Sequence, residues 1–273
     1  MKKKIKVVHL TSVHSRFDTR IFFKMCSSLV NVGYEVSLVV ADSIGNEIKD
    51  KISIIDVGKS SGGRFSRITK TVSSIFEKAK ELDGDIYHLH DPELIPIGLK
   101  LKKLKKKIIF DAHEDLSKQI LSKDYLNYVS RITLSKLYEY YEKWSIPKFH
   151  TVISATPYIR EKLLNLNPNT VDVNNFPLLD EFRNSSNFNK EESEIVYIGG
   201  LSKMRGIEEL ISSLSFNKKV KLNLVGRFNN NQFMNKIKSH KNWNQVNYYG
   251  FLDRHAIKKV LDKSSIGIVT LHP

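Results

Sequence analysis

The sequence of 273 residues predicts an α/β fold in which parallel sheets are covered by helices on both faces. Short apolar runs alternate with segments of helical periodicity along the chain, and this alternation is typical of strand–helix–strand units. A polar segment at residues 175–193, rich in Asn and Ser, interrupts the alternation and indicates a linker. We therefore expect a first domain at residues 1–177, a linker at 178–193 and a second domain at 194–273.

The predicted strands of the first domain are short and apolar, as expected for strands buried on both faces. They lie at residues 5–10, 34–40, 52–57, 85–90, 107–113 and 151–155. Helices are predicted between them at residues 18–31, 64–82, 92–104, 122–144 and 157–166. Asp18 is placed to cap the first of these helices, and Gly33 is placed to end it. Pro92 and Pro157 suit the first turn of a helix.

The second domain repeats the same pattern on a smaller scale. Four strands are predicted at residues 194–200, 221–228, 246–252 and 266–271. Three helices are predicted at residues 207–214, 231–239 and 253–262. The last strand is apolar on both faces, as is typical of buried strands, but no covering helix is predicted after it, so we expect an uncovered apolar edge.

Charge and composition narrow the range of functions. The net charge is +15, which favours acidic partners such as nucleic acid, anionic lipid or phosphate-bearing substrates. No apolar run reaches the roughly 20 residues that cross a bilayer, and the N-terminus lacks the long apolar segment of a signal peptide. The single cysteine, Cys26, excludes an internal disulfide and suits a reducing compartment. We therefore expect a cytoplasmic location.

Three polar turns follow strands of the first domain, at residues 11–20, 88–91 and 111–115. Because ligands bind at the carboxyl ends of strands in open parallel sheets, we expect these turns to form one site. The candidate residues are Asp18, Arg20, His90, Asp91, His113, Glu114 and Asp115. The surrounding carboxylates are expected to raise the pKa of His113. The alternative is that these histidines only form hydrogen bonds with the backbone of their turns and have no catalytic or binding role.

A metal site is not predicted there. His88 and His90 point to one face of one strand, but the further ligands would have to come from separate strands without a short chelating spacing. In the second domain, Gly199 and Gly200 precede Lys203 and Arg205 at a helix start, a pattern that favours phosphate binding. The alternative there is an ordinary glycine turn with solvated basic residues.

Five segments taken together resemble a known family. They are "FDTRIFFKMCSSLVNVGYEVSLV", "HLHDPELIPIG", "IIFDAHEDL", "YIGGLSKMRGIEELI" and "GFLDRHAIKKVLDKSSIGIVTLHP". With them the chain resembles the retaining glycosyltransferases of family 4 (group 1), in particular a bacterial subgroup that works on surface polysaccharides. The resemblance implies the GT-B fold, in which two Rossmann-like domains face a cleft.

The resemblance also implies roles for particular residues. A nucleotide-diphosphate sugar would be the donor, held by Gly199, Gly200, Lys203 and Arg205 of the second domain. A saccharide or a lipid-linked saccharide would be the acceptor, against the first domain. His113 matches the family's histidine near the transferred sugar. The nucleotide sugar is a substrate, so no cofactor and no metal are expected.

The family pattern continues beyond the end of this sequence with paired glutamates and a closing helix. The chain is therefore expected to be truncated, with an incomplete second domain. This leaves open a catalytically inactive remnant or a subunit of a split transferase. A basic nucleic-acid-binding protein is a further alternative that rests on charge alone, and no nucleic acid partner is expected because no reading motif is present. The basic residues 100–107 are either solvated or touch anionic lipid on the inner face of the cytoplasmic membrane.

Overall fold

A computed structural model describes residues 4–59, 67–123, 126–178 and 191–271. The chain divides into two compact units, Met1–Phe176 and Pro177–Pro273. Most of the linker predicted at residues 178–193 lies outside the described residues. Both units are built from parallel strands and helices, so the predicted α/β class is confirmed.

The first unit contains an eight-stranded sheet. Its strands are β1 (Lys6–Leu10), β2 (Glu35–Val40), β3 (Glu47–Lys49), β4 (Ile52–Asp56), β5 (Ile86–Leu89), β6 (Lys107–Ala112), β7 (Thr151–Ser154) and β8 (Thr170–Asp172). The order across the sheet is β3-β4-β2-β1-β5-β6-β7-β8, and β3 alone runs antiparallel to its neighbour. Strands β3 and β8 were not predicted, because three residues are too few to show a period of two.

The helices of the first unit connect these strands. They are two π-helices, π1 (Thr19–Cys26) and π2 (Arg67–Thr71), and the α-helices α1 (Ser27–Asn31), α2 (Val72–Leu82), α3 (Ile95–Lys103), α4 (Leu116–Leu121), α5 (Tyr128–Ser145) and α6 (Pro157–Leu164). Asp18 caps π1 by accepting hydrogen bonds from the N–H groups of Arg20 and Ile21. Gly33 has φ +94°, as its predicted position after a helix requires.

The core of the first unit lies on both faces of the sheet. Alternate residues of β2 point to opposite faces, so Leu38 packs in one hydrophobic cluster and Val39 in the other. Cys26 is fully buried against the Leu38 side, and burial raises the pKa of its thiol. Cys26 is therefore a small apolar core residue, in line with the absence of a disulfide partner.

The second unit contains a four-stranded parallel sheet. Its strands are β9 (Glu191–Ile198), β10 (Lys221–Val225), β11 (Val246–Gly250) and β12 (Ser264–Gly267), in the order β11-β10-β9-β12. Its α-helices are α7 (Ile207–Ser213), α8 (Asn231–Lys238) and α9 (Arg254–Lys263). The last strand ends earlier than predicted, and Val269 and Leu271 beyond it are 88% and 63% exposed, as expected for an uncovered apolar segment.

One helix of the first unit was also predicted wrongly. The helix expected at residues 122–144 begins at Tyr128, and the separate helix α4 precedes it. Two caps explain the division: Asp115 accepts a hydrogen bond from the N–H of Lys118, and Asn127 accepts one from the N–H of Ser130. Among the described residues no helix is both long and apolar enough to cross a membrane.

Candidate functional site

The sheet topology brings the three polar turns of the first unit together. Strands β1, β5 and β6 are adjacent, and His9 of β1 lies in register with His88 of β5. The loops at their carboxyl ends border a cavity of about 500 Å³, which we call the histidine cavity. Its polar lining includes His14, His90, Asp91, Asp111 and His113. Its apolar lining includes Leu116, Ile120, Leu126, Leu134 and Tyr138.

Asp91 organises the loop after β1. Its Oδ2 accepts hydrogen bonds from the Thr11 hydroxyl at 2.8 Å and from the Ser12 N–H at 2.6 Å. Its Oδ1 lies 3.3 Å from Nε2 of His14, whose Nδ1 lies 3.7 Å from Oδ2 of Asp18. The hydrogen bonds with Asp18 and then Asp91 raise the pKa of His14 to about 10. His14 is therefore an imidazolium at neutral pH, held between two carboxylates.

Arg20 fixes the carboxylate of β6. Its guanidinium donates to both oxygens of Asp111, and its Nη1 donates to the Val173 carbonyl at 2.7 Å. Burial opposes ionisation of Asp111, but the His90 imidazole, with Nδ1 3.4 Å from Oδ2, and the Arg20 guanidinium outweigh it and hold the pKa of Asp111 well below the usual range. Arg20 was predicted as a cleft residue; the structure places it under the site, 5% exposed, as the partner of Asp111.

His113 lies at the edge of this network and faces the histidine cavity. Its Nε2 is buried, lies 3.7 Å from Oδ2 of Asp111 and has no hydrogen-bond partner among the described residues. Burial lowers the pKa of His113 to about 4, so the expected increase is wrong. The physical reason is that burial outweighs the attraction of the Asp111 carboxylate. Asp115 and Glu114 bind other groups, because Asp115 accepts from Lys162 at 2.8 Å and Glu114 accepts from Gln119. His113 is therefore a neutral imidazole at pH 7.

Two predicted site residues have different positions from the rest. Glu114 is exposed and lines the outer part of the histidine cavity. Asp115 caps α4 and pairs with Lys162, and it is not part of the cavity lining. Two further residues of the site, His14 and Asp111, were not predicted. Both belong to the polar turns after the strands, so the position of His14 after β1 and of Asp111 within "FDAH" could have indicated them.

Side chains that could bind a metal lie closer together than their positions on separate strands predict. Ligand atoms of His9, His88 and His90, and those of His90, Asp111 and His113, lie within 4.8 Å of one another. In each set a member is already bound. His9 Nδ1 lies 2.8 Å from His90 Nε2, and both oxygens of Asp111 accept from the guanidinium described above. These bonds occupy only part of each set, because Nε2 of His9, His88 and His113 and Nδ1 of His90 are buried without a hydrogen-bond partner among the described residues. Metal independence stays a prediction.

The second unit contains a glycine-lined cavity of about 390 Å³, which we call the glycine cavity. Its lining includes Gly199, Gly200, Gly226, Arg227 and Phe251. Gly226 has φ +146°, and a Cβ added there would lie 1.8 Å from the carbonyl oxygen of Gly199. Only glycine permits this close approach of two strand ends, which leaves main chain at the cavity wall.

The predicted basic residues lie outside this lining. Lys203 and Arg205 are exposed on a 3₁₀ turn, Lys203–Arg205, that precedes α7. The cation at the glycine cavity is Arg227, whose guanidinium lies 4.6 Å from the centre of the Phe251 ring. Arg227 was not predicted, because it follows a strand as part of "VGRF", whereas the predicted phosphate site relied on basic residues at the start of a helix.

Two family models match the sequence. The model described as Glycosyltransferase Family 4 matches residues 19–173, and the model described as Glycosyl transferases group 1 matches residues 180–272. A sequence search of curated proteins gives no match.

Solved structures show the same fold. A sucrose-phosphate synthase from Thermosynechococcus elongatus is 14% identical, with a TM-score of 0.74 over 97% of this chain and 75% of that chain. WaaG, a glycosyltransferase involved in lipopolysaccharide biosynthesis, is 12% identical, with a TM-score of 0.71 over 97% and 75%. Anabaena HepE in complex with UDP and glucose is 12% identical, with a TM-score of 0.67 over 98% and 74%.

These structural matches confirm the predicted GT-B type of α/β fold, and the two family models indicate a glycosyltransferase by resemblance. The family 4 model alone covers more than half of the 273 residues. The chain therefore belongs to glycosyltransferase family 4.

Proposed function

We propose that this glycosyltransferase moves a sugar from a nucleotide-diphosphate donor to a saccharide acceptor with retention of the anomeric configuration. The acceptor and the transferred sugar would lie at the histidine cavity, and the donor nucleotide at the glycine cavity. The observation that carries the proposal is His113, a neutral imidazole that lines the histidine cavity beside the buried carboxylate of Asp111.

A neutral imidazole suits this role because it can exchange a hydrogen bond with a sugar hydroxyl without adding charge. The carboxylates beside it are unsuitable as proton acceptors. Asp91 is held by Thr11, Ser12 and His14, and the oxygens of Asp111 are held by a guanidinium. We therefore assign His113 to the sugar, with His14 and Asp91 fixing the loop beside it.

The donor assignment rests on the main chain and the cation of the glycine cavity. Departure of a nucleoside diphosphate develops negative charge on the leaving phosphate oxygen, while the sugar carbon acquires oxocarbenium character. The Arg227 guanidinium at that cavity supplies a positive charge, and Gly199 and Gly200 allow a phosphate to approach closely. Lys203 and Arg205 remain proposed contacts to the outer side of the diphosphate. HepE, with UDP and glucose bound, is a precedent for the ligand class in this fold.

The mixed lining of the histidine cavity supports a lipid-linked acceptor. Ile120, Leu126 and Leu134 line the same cavity as the polar side chains that would contact the saccharide. An acceptor with a saccharide head and a lipid chain matches both kinds of side chain. We place this reaction at the inner face of the cytoplasmic membrane, without a metal ion, because Arg227 supplies the charge that a metal would otherwise provide to the diphosphate.

Transfer and binding can be measured separately. The chain would be incubated with UDP-, GDP- and ADP-sugars and a polyprenyl-phosphate-linked saccharide, with and without EDTA, and the products followed by ¹H NMR. We expect one nucleotide class to be consumed, EDTA to have no effect, and the anomeric coupling of the product to match that of the donor. An inverted product would contradict retention. Nucleotide binding without turnover on any acceptor would instead favour the inactive remnant or split subunit.

A further inference from the structure

Three histidines pack against one another in the interior of the first unit. His9 and His88 lie in register on neighbouring strands, and His90 follows His88 two residues later. The three residues are 0%, 3% and 1% exposed. Their ring centres lie 4.8, 5.1 and 4.4 Å apart. We name this group the three-histidine cluster and define it by His9, His88 and His90.

Two neighbouring nitrogen atoms of the cluster lack the partners that buried polar atoms normally have. Nε2 of His9 and Nε2 of His88 are buried without a hydrogen-bond partner among the described residues. Buried polar atoms of side chains are mostly hydrogen-bonded, because an unpaired one loses its hydration without compensation. Two such atoms on adjacent strands therefore indicate a ligand that binds between them.

The third member brings the number of imidazoles to that of a known type of zinc site. Three histidines with one open position can hold Zn²⁺, and imidazole is a ligand that this ion prefers. One ring nitrogen of each member lies within 4.8 Å of the other two, and Nδ1 of His9 lies 2.8 Å from Nε2 of His90. Zn–N bonds of about 2.0–2.1 Å at tetrahedral angles place the nitrogens roughly 3.4 Å apart. The observed separations lie on both sides of this value, so small rotations of the rings bring three nitrogens onto one ion.

A carboxylate and two cavities adjoin the cluster. Oδ2 of Asp111 lies 3.4 Å from Nδ1 of His90, and a carboxylate beside the second ring nitrogen is the usual partner of a metal-bound histidine. This leaves Nε2 of His90 for the ion. His90 lines the histidine cavity, and His88 lines a separate cavity of about 420 Å³. An ion can therefore approach the buried nitrogens from either cavity.

We propose that the three-histidine cluster binds one Zn²⁺ ion, with His9, His88 and His90 as its protein ligands. The ion links β1 to β5 and so stabilises the folded first unit. It is not a cofactor of the proposed sugar transfer, which needs no metal. Of the three ligands, only His90 lines the cavity where the saccharide is proposed to lie.

The second possible set of ligands, His90, Asp111 and His113, suits a cation less well. Both oxygens of Asp111 already accept hydrogen bonds from the guanidinium of Arg20. A metal ion on Asp111 would therefore lie beside a buried positive charge that repels it. The three-histidine cluster requires no such competition for a ligand atom.

Binding can be measured on the full chain after its treatment with EDTA. Calorimetry with Zn²⁺ should give one site per chain, and Co²⁺ should give the strong visible absorption of a four-coordinate ion. At a hundredfold excess over its Kd, Zn²⁺ should raise the melting temperature by about 5 °C. In ¹H–¹⁵N spectra of the unmodified chain, three of the nine histidine rings should shift. Absence of a saturable zinc site, or the weak absorption of six-coordinate Co²⁺, would overturn the proposal.

Variants identify the ligands. We expect His88→Phe, which keeps a ring of similar size, to weaken Zn²⁺ binding at least about 100-fold, beyond the effect of losing a partner of a ligand. His113→Asn tests the second set of ligands, and His255→Asn tests an exposed histidine; both should bind Zn²⁺ as the original chain does. Undiminished binding by His88→Phe, or its loss in His113→Asn, would refute the assignment.

The ring spectra of the unmodified chain and the variant His9→Asn decide the question if His88→Phe does not fold. The inference is also separable from the proposed function. Loss of turnover with EDTA would contradict transfer without a metal, whereas absent zinc binding with intact turnover would contradict only the zinc site.

Discussion

Arg20 and Asp111 form a buried bidentate ion pair, with Nε 3.1 Å from Oδ2 and Nη2 2.9 Å from Oδ1, between residues 91 positions apart in the sequence. Removing the guanidinium would leave Asp111 ionised in the interior of the first unit with only the imidazoles of His90 and His113 beside it. We expect Arg20→Met to lower the free energy of unfolding by about 3–5 kcal/mol in urea denaturation.

A matched control is available for this pair. Arg160 lies 3.5 Å from Asp172 with its side chain 40% exposed, and Arg160→Met should change the free energy of unfolding by less than about 1 kcal/mol. The double variant Arg20→Met with Asp111→Leu should regain much of the loss, because no charge then remains buried. Equal effects of Arg20→Met and Arg160→Met would show that the buried pair has no special weight.

His113 should act on turnover more than on donor affinity. We expect His113→Asn to reduce kcat about 100-fold, the lower range for a positioned acid or base, with donor Kd within about threefold. His255→Asn, on the exposed side of α9, is the control and should leave both constants unchanged. A loss of activity with EDTA that zinc restores would contradict the assignment, since it would make His113 a metal ligand.

The stability of the first unit should fall above neutral pH because of His14. Its pKa is raised from 6.5 to about 10, so the folded state keeps a proton that the unfolded chain loses. The contribution is complete below pH 6.5 and disappears as the pH rises through about 10. We expect a loss on the order of 2 kcal/mol between these limits, in the range for charged hydrogen bonds.

Urea denaturation of the original chain and of His14→Asn at pH 6.5, 8 and 9.5 measures this effect. The two curves should converge as the pH rises. His113 acts in a different window: its pKa is lowered to about 4, so it reduces stability only as the pH falls below 6.5. A constant difference between the two proteins from pH 6.5 to 9.5 would show that His14 is not charged in the folded state.

Arg227 should bind the donor diphosphate at least as strongly as Arg205. Arg227 lines the glycine cavity, whereas Arg205 lies outside the lining. We expect Arg227→Ala to weaken nucleotide-sugar binding by about 1.5–3 kcal/mol in calorimetry, and Arg205→Ala to have an equal or smaller effect. Lys218→Ala, on an exposed turn, controls for loss of net charge. If only Arg205→Ala weakened binding, the diphosphate would have to lie on the 3₁₀ turn.

Gly226 should not tolerate even a methyl group. Gly226→Ala would force apart two strand ends that touch through the Gly199 carbonyl, at a φ that disfavours side chains. We expect a loss of about 3 kcal/mol in the stability of the second unit, followed by hydrogen exchange. Gly250→Ala is the matched control, because Gly250 also has positive φ but no atom within 4 Å of an added Cβ. A similar loss in both variants would assign the effect to φ alone.

Local sequence signals predicted much of this fold. Buried parallel strands, the Asp18 cap and the glycine after α1 are local features, and they are found where the sequence indicates them. The pKa of His113 could not be predicted in the same way. That pKa depends first on the burial of the imidazole and then on the charge of Asp111, and the guanidinium that binds Asp111 comes from a distant segment of the chain. Likewise, the approach of Gly226 to Gly199 depends on the pairing of two strands.

The register of β1 and β5 places His9 and His88 on the same rung of the sheet, with ring centres 4.8 Å apart. That separation equals the ordinary distance between neighbouring strands, about 4.7–4.9 Å. The pairing of β1 with β5 therefore sets the distance between the two imidazoles. It would set a similar distance between other side chains at these two positions. Substitutions at these two positions could therefore change the pKa values of the groups there during evolution, while the two strands that space them stay the same.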